Sequence, residues 1–266
     1  MPELAEVEFF RKQWEPGLGK RVQEALIHEG KRVFRGVDPE ALTAALKGAK
    51  LVDSQTRGKQ LLFRFSGGAW IGIHLGMSGS LRREAHDFTP GKHDHLALVQ
   101  ADGVLLYHDP RMFGRVRFDR GKQPPEWWSQ LPPAVTSPEF TQARLAEALS
   151  RRKLGPIKAA LLDQSLFPGV GNWMADEILW RSRLDPRTPA AALTSAERTE
   201  LWKQARLVCR TSLRTIGVDW GDPPPGWLFH VRWKKGGSCP RDGESLQRAE
   251  VAGRTTAWCE RCQPAN

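Results

Sequence analysis

The feature that most constrains the fold is a change of hydrophobic period part-way along the chain. Up to residue 118 the apolar residues come in short alternating runs separated by Gly and charged turns, whereas beyond residue 138 they recur at helical spacing. Residues 22–28, 50–56, 60–65, 70–75, 95–99, 104–108 and 115–118 read as strands, preceded by a helix over 5–14. Seven strands and one helix predict an antiparallel β-sandwich over 1–118. Residues 119–138, rich in Pro, Gly and Trp and without period, read as a linker. Helices are predicted over 141–151, 156–162, 172–183 and 194–216, giving a helical domain over 139–228. A Pro-rich loop at 222–226 leads to a basic terminal hairpin, 229–266, that carries three of the four cysteines.

A length of 266 residues accommodates two domains with sizeable cores. Forty Lys and Arg against thirty Asp and Glu leave a net charge of +10, which favours a polyanionic partner. No apolar run approaches the roughly 20 residues of a membrane span, and the acidic amino terminus does not read as a signal peptide, so the expected location is the cytosol. In that compartment four cysteines do not make a disulfide framework; a metal site is the better reading.

The chain opens Met1-Pro2-Glu3-Leu4-Ala5-Glu6-Val7-Glu8. Removal of Met1 exposes the secondary amine of Pro2 directly before three carboxylates. An α-amino group has a pKa of about 8, so far more of it than of a lysine is neutral at pH 7, and neutral amine is what attacks carbonyl-level carbon. The same residues also suit a plain helix start. Lys59 lies in a turn before an apolar strand, where a solvated lysine is the ordinary alternative. His74-Leu75-Gly76-Met77-Ser78-Gly79-Ser80 places Met77 on a loop tip fit to wedge between bases. Asp109-Pro110-Arg111-Met112-Phe113-Gly114 offers a second tip, with Arg111 and Phe113 alternating cation and ring; a surface Arg and a core Phe would give the same pattern. Phe167-Pro168-Gly169-Val170-Gly171-Asn172 is a glycine turn opening a helix, suited to phosphate, with Asn172 as cap and donor. In the tail, Cys239 and Asp242 are followed after sixteen residues by Cys259 and Cys262. With cysteine at 242 this would be a zinc ribbon; Asp242 leaves two readings open, a Cys3Asp zinc site or a hairpin packed around Trp233, Leu246 and Trp258. Cys209, inside the long helix, reads as a buried apolar residue.

In this order the motifs resemble the formamidopyrimidine-DNA glycosylase and endonuclease VIII family of base-excision repair enzymes. The resemblance runs from Met1 to Cys262 and includes His93-Asp94-His95. It implies an α+β multidomain fold: an N-terminal helix on an eight-stranded antiparallel β-sandwich, a helix-two-turn-helix domain and a C-terminal zinc-finger-like hairpin. It implies a bifunctional DNA glycosylase and abasic-site lyase that forms an imine at Pro2 and breaks the strand by β,δ-elimination, with no metal in the chemistry. By the same resemblance Glu3 moves protons and assists sugar-ring opening, Glu6 supports it, and Lys59 contacts the phosphate beside the lesion. His74, Asn172 and Arg254 match phosphate contacts; Met77, Arg111 and Phe113 match the side chains that fill the gap left by the flipped nucleotide; His93 falls in a DNA-binding motif. The implied partner is double-stranded DNA with an oxidised base or abasic site, bound by a monomer in the bacterial nucleoid, and the implied structural metal is zinc, held by Cys239, Asp242, Cys259 and Cys262.

Departures from the family pattern are Ala5 in place of Pro, Met112 in place of a second arginine, Asp242 in place of cysteine, and a short Pro-rich stretch over 217–231. In members specific for 8-oxoguanine a longer loop there closes over the flipped base, so oxidised pyrimidines and ring-opened purines stand beside 8-oxoguanine as expected lesions. Two rival readings are a catalytically silent DNA-damage binder of the same fold and a tautomerase-like enzyme using Pro2 as general base.

Overall fold

In the computed structural model, which describes residues 1–151 and 155–265, the chain begins with helix α1 (Leu4–Lys12). Residues 152–154, inside the expected helical domain, and residue 266 lie outside the described residues. Strands β1 (Glu24–Ile27), β2 (Leu51–Arg57), β3 (Gln60–Phe65), β4 (Ala69–His74), β5 (Ser80–Glu84), β6 (Asp94–Gln100), β7 (Gly103–His108) and β8 (Arg115–Arg120) follow, with helix α2 (Pro39–Leu46) between β1 and β2. They pair antiparallel in two four-stranded sheets, ordered β1-β6-β7-β5 and β2-β3-β4-β8. Alternation turns Leu61, Phe63, Ile71 and Ile73 of one sheet and Leu98 and Tyr107 of the other into a single core. Eight strands replace the seven expected from periodicity, as the family resemblance implied.

The extra strand is β5. Ser80-Leu81-Arg82-Arg83-Glu84 has one apolar residue and sits at a sheet edge, where charged side chains are ordinary and the hydrophobic signal is weak. Helix α2 was also absent from the expectation, although Asp38 before Pro39 announces it: the Asp38 carboxylate accepts from the N–H groups of Glu40 and Ala41 at 3.0 and 3.2 Å. Residues 119–131 lie against the outer face of the second sheet. There the short helix α3 (Glu126–Ser129) packs Trp127 and Trp128 with Leu62 and Trp70.

The remaining helices are α4 (Gln142–Ser150), α5 (Ile157–Leu162), α6 (Asn172–Ser182), α7 (Ser195–Arg214) and α8 (Ile216–Asp219), followed by the hairpin β9 (Gln247–Val251) and β10 (Arg254–Trp258). Helix α7 starts at a capping box in which Thr194 and Glu197 satisfy each other's backbone. Most of α6 is buried, including Asp176 and Glu177. Compact units divide the chain into Met1–Pro2 with Glu6–Leu131, and Glu3–Ala5 with the described residues from Pro132 onward. Leu4 and Ala5 accordingly belong to the helical core, with Leu145, Phe167, Met174 and Leu201. Cys209 is buried among them, as expected. None of the helices in the described residues is long and apolar enough to cross a membrane.

Asp176 takes the ammonium of Lys158 on α5 and the guanidinium of Arg232, and also accepts from the Ala257 N–H of β10 at 3.2 Å. Its neighbour Glu177 accepts from Arg181 Nε at 2.8 Å and from the Phe229 N–H at 3.0 Å, yet burial pushes its carboxyl up to about 7. The folded protein therefore holds a proton there that the unfolded chain releases from 4.5 upward, so the stability linked to it is present below 4.5 and lost as pH rises through about 7. The melting temperature should fall across that window, and Glu177→Gln, which has nothing to titrate, should flatten the fall; an unaltered pH profile would contradict this.

Candidate active site and nucleic-acid interface

The amino-terminal residues are held by backbone chemistry. Glu3 is 4% exposed, and its carboxylate accepts three N–H bonds from the start of α6: Gly171 at 2.9 Å, Trp173 at 3.0 Å and Met174 at 3.2 Å. These are the orphan donors of a helix N-terminus, and the positive end of the helix dipole adds to their pull on an anion. The Leu4 N–H donates to the Gly169 carbonyl at 2.9 Å, and Gly169 takes a left-handed φ of 92°. A Cβ at Gly171 would lie 2.3 to 2.5 Å from the Glu3 side chain, so only glycine lets the carboxylate this close. Pro2 precedes Glu3 in the chain and is half-buried; Glu6 is half-buried on α1.

Lys59 follows Gly58, whose φ of 60° makes the β2–β3 turn, and at 7% exposure it is not a solvated turn lysine. At the end of β4, His74 Nδ1 accepts from the Gly76 N–H at 3.1 Å, which leaves the ring proton on Nε2. Burial, then the charges of Lys59, Arg117 and Arg35, hold the His74 pKa below its usual value. A neutral imidazole with a free Nε2–H is a fixed donor for an oxygen ligand.

The two loop tips are built on one buried acid that sequence reasoning passed over. Asp109 is fully buried and accepts from the Gly114 N–H at 2.8 Å, Ser78 Oγ at 2.9 Å, the Tyr107 hydroxyl at 3.3 Å and the Arg111 N–H at 3.3 Å. Its carbonyl meets His95 Nε2 at 2.9 Å. Gly76, at φ 63°, would put a Cβ 2.4 Å from the Phe113 carbonyl carbon, so the tips meet backbone to backbone. This frame leaves Met77 and Phe113 each 46% exposed, and the Arg111 guanidinium lies 4.8 Å over the Phe113 ring. Phe113 is thus no core residue. Met112, at φ 53°, turns back to pack on the sandwich core. His93 is half-buried, its ring edge-on to that of His108 at 6.0 Å, and its carbonyl accepts from the Asp109 N–H at 3.0 Å.

Asn172 is not the cap of α6. Gly171 occupies the cap position, and the Asn172 amide donates to the Thr255 carbonyl of β10 at 2.8 Å while its buried Oδ1 has no partner among the described residues. Arg254, at the start of the same strand, is exposed, with Nη1 donating to the Gly253 carbonyl at 3.0 Å. The Pro-rich stretch folds down compactly: His230 Nε2 lies 2.9 Å from the Pro223 carbonyl, and Trp220, at φ 65°, stays half-exposed.

The ligand atoms of Cys239, Asp242, Cys259 and Cys262 all lie within 4.8 Å of one another. Tetrahedral zinc with Zn–S bonds of about 2.3 Å would hold sulfurs about 3.8 Å apart. Cys239 and Cys262 Sγ are 3.8 Å apart, and Asp242 Oδ2 lies 2.9 and 3.5 Å from the Cys262 and Cys259 sulfurs, so the donor set fits such an ion. Around it pack Trp180, Leu228 and Leu246, with Trp180 Nε1 3.3 Å from Cys239 Sγ. Trp233, expected in that packing, is instead 56% exposed, and Trp258 is buried under Arg187.

A family model described as the formamidopyrimidine-DNA glycosylase N-terminal domain matches residues 1–116, and one described as the formamidopyrimidine-DNA glycosylase H2TH domain matches residues 131–220. The chain is 38% identical to a formamidopyrimidine-DNA glycosylase of Laribacter hongkongensis, covering 99% of this chain and all of that one. It is 35% identical to that of Thermus thermophilus, with 99% and 98% coverage. Among solved structures, wild-type Lactococcus lactis Fpg (MutM) in complex with oxidised-pyrimidine-containing DNA matches at a TM-score of 0.89 and 29% identity, covering 99% of this chain and all of that one. The same protein with Fapy-dG-containing DNA matches at 0.89 and 28%, with the same coverage.

Gly171→Ala tests the carboxylate clamp. Forcing a methyl against Glu3 should cost about 1–3 kcal/mol of stability, the usual range for overpacking. In a double-mutant cycle with Glu3→Ala most of that cost should vanish; strictly additive losses would contradict the contact.

Proposed function

The chain belongs to the formamidopyrimidine-DNA glycosylase family, and from that premise we propose that it excises oxidised bases from duplex DNA and then cleaves the strand as an abasic-site lyase. The observation that carries the reading is the pinning of Glu3, the residue next to the amine, by three N–H groups of α6. A secondary amine whose chain neighbour is held this tightly has little conformational freedom to lose on attack.

In the proposed sequence Pro2, freed of Met1, attacks C1′ of the damaged nucleoside. The N–C1′ bond forms as the glycosidic bond breaks, the base leaves with the bonding pair and takes up a proton, and the amine proton is lost. Opening of the sugar ring then gives an iminium, with the ring oxygen protonated; Glu3, supported by Glu6, moves these protons. The iminium is the electron sink that makes the C2′ proton removable, so the 3′ phosphate leaves by β-elimination and the 5′ phosphate by δ-elimination. Lys59 supplies a buried cation, and His74 a neutral Nε2–H, to the phosphate beside the lesion. Asn172 and Arg254 bind backbone phosphate, and His93 belongs to the same DNA interface. Met77, Arg111 and Phe113 enter the stack where the nucleotide is flipped out, a use that fits exposed apolar tips on a rigid Asp109 frame.

Zinc held by Cys239, Asp242, Cys259 and Cys262 would supply folding energy to the hairpin and no chemistry. The 217–231 stretch is short and drawn in on itself by the His230–Pro223 contact, in place of the longer loop that closes over the base in 8-oxoguanine-specific members, which sets oxidised pyrimidines and ring-opened purines beside 8-oxoguanine as substrates.

Oligonucleotide duplexes each carrying one lesion test the reading. The processed protein should nick them with β,δ-elimination ends, and Pro2→Gly or a form retaining Met1 should lose at least about a hundredfold in rate, in the range of a removed nucleophile or acid–base group. Binding without nicking by the processed protein would leave a silent damage binder. Purified protein should carry about one zinc per chain. Cys259→Ser should lose it together with duplex affinity; metal-free protein of full affinity would refute the zinc assignment.

A further inference from the structure

Strand β8 carries two arginines on its outward face that the repair reading leaves without a task. Arg115 pairs with His74 and Arg117 with Gly72 across β4, so their side chains share the face that carries His74, while Val116 points into the core. Gly72 makes this possible. A Cβ there would lie 2.5 Å from the Trp127 ring, and without one the indole lies flat enough for the Arg117 guanidinium to sit 4.4 Å over it. Arg115, Arg117 and Trp127 line, with Arg35, a cavity of about 330 Å³.

The cavity is strongly cationic and unpaired. Its one acid, Asp119, accepts from the Trp127 indole N–H at 3.0 Å. Among the described residues Arg35 donates to carbonyls, of Arg32 at 3.3 Å and Gly114 at 3.2 Å. The Arg115 Nε is shut off from solvent and has no hydrogen-bond partner among the described residues. Among the described residues none of the three arginines makes an ion pair with a carboxylate. Burial, then Arg115, lowers the pKa of Arg117, as expected for like charges gathered without a counter-ion. A buried guanidinium donor left unmatched is costly unless a ligand completes it, and guanidinium forks match phosphate oxygens.

We propose that Arg35, Arg115 and Arg117 form an anion pocket that takes a second backbone phosphate of the bound duplex, beyond the one at Lys59 and His74. The proposal rests on the DNA-repair reading above. Because Arg115 is in register with His74, the pocket prolongs the same cationic face along β8, and Trp127 holds Arg117 upright over it.

The test is the salt dependence of binding to a duplex carrying an abasic-site analogue. Arg35→Gln, at an exposed position where folding is not at stake, and the double variant Arg115→Gln/Arg117→Gln should each lower the log–log slope by about 0.9, one phosphate's worth. A duplex walked with single neutral methylphosphonate linkages should contain one position that weakens the unsubstituted protein and not these variants. Slopes unchanged in variants of normal melting temperature, with tight binding by the unsubstituted protein, overturn the pocket and leave the repair reading standing. No salt-dependent binding by the unsubstituted protein overturns both. Saturable binding of inorganic phosphate at constant ionic strength, lost in the variants while DNA slopes hold, assigns the pocket to free phosphate and also overturns the proposal.

Discussion

The carboxylate of Glu3 against the first N–H groups of α6 is the interaction on which the rest depends. A helix N-terminus presents donors that its own carbonyls cannot satisfy, and here they converge on a side chain from the other end of the sequence. Glycine at 171 admits the carboxylate, and the left-handed Gly169 turns its carbonyl to the Leu4 N–H. A segment that would otherwise fray is thereby fixed. The amine proposed to react is the next residue along.

The same helix anchors the terminal hairpin. Asp176 collects Lys158, Arg232 and the Ala257 N–H, and Asn172 reaches the Thr255 carbonyl. Ions so deeply buried stabilise little in net terms, because desolvation offsets most of their attraction; what they enforce is geometry, since a displaced partner leaves a bare charge. Helix α6 therefore carries the carboxylate clamp at its first turn and the seat of β10 one turn later. The groups proposed for catalysis and for phosphate binding are thus held by one rigid element, which suits a reaction that must hold sugar and backbone in register. In the sandwich Asp109 has the corresponding part, fixing two tips so that apolar side chains stand in solvent without collapsing onto the core.

Much of this was legible in the sequence. The switch of period separated strands from helices, and turn chemistry put Met77 and the 167–172 glycines where the backbone has them, while it left Phe113 open between core and tip until the resemblance placed it. What escaped has physical causes. Strand β5 is an edge with one apolar residue, so alternation is nearly silent there. Asp109 reads as a turn residue because Tyr107, Arg111 and Gly114 lie within five residues of it, whereas Ser78 and His95 reach it only through the pairing of other strands. Asn172 has the chemistry of a cap, yet a backbone that lets glycine take that place frees its amide for β10. The Asp242 substitution left the metal site ambiguous by composition, whereas geometry closes three sulfurs and a carboxylate into one cluster.

The proposed chemistry makes the amine of Pro2, and not that of the buried Lys59, the reactive nitrogen. Borohydride reduction of the complex with abasic-site DNA, followed by proteolysis and mass mapping of the cross-linked peptide, addresses it directly. The sugar remnant should lie on the peptide that begins at Pro2, attached to its nitrogen. A remnant on Lys59, or no adduct with Met1-free protein, would contradict it.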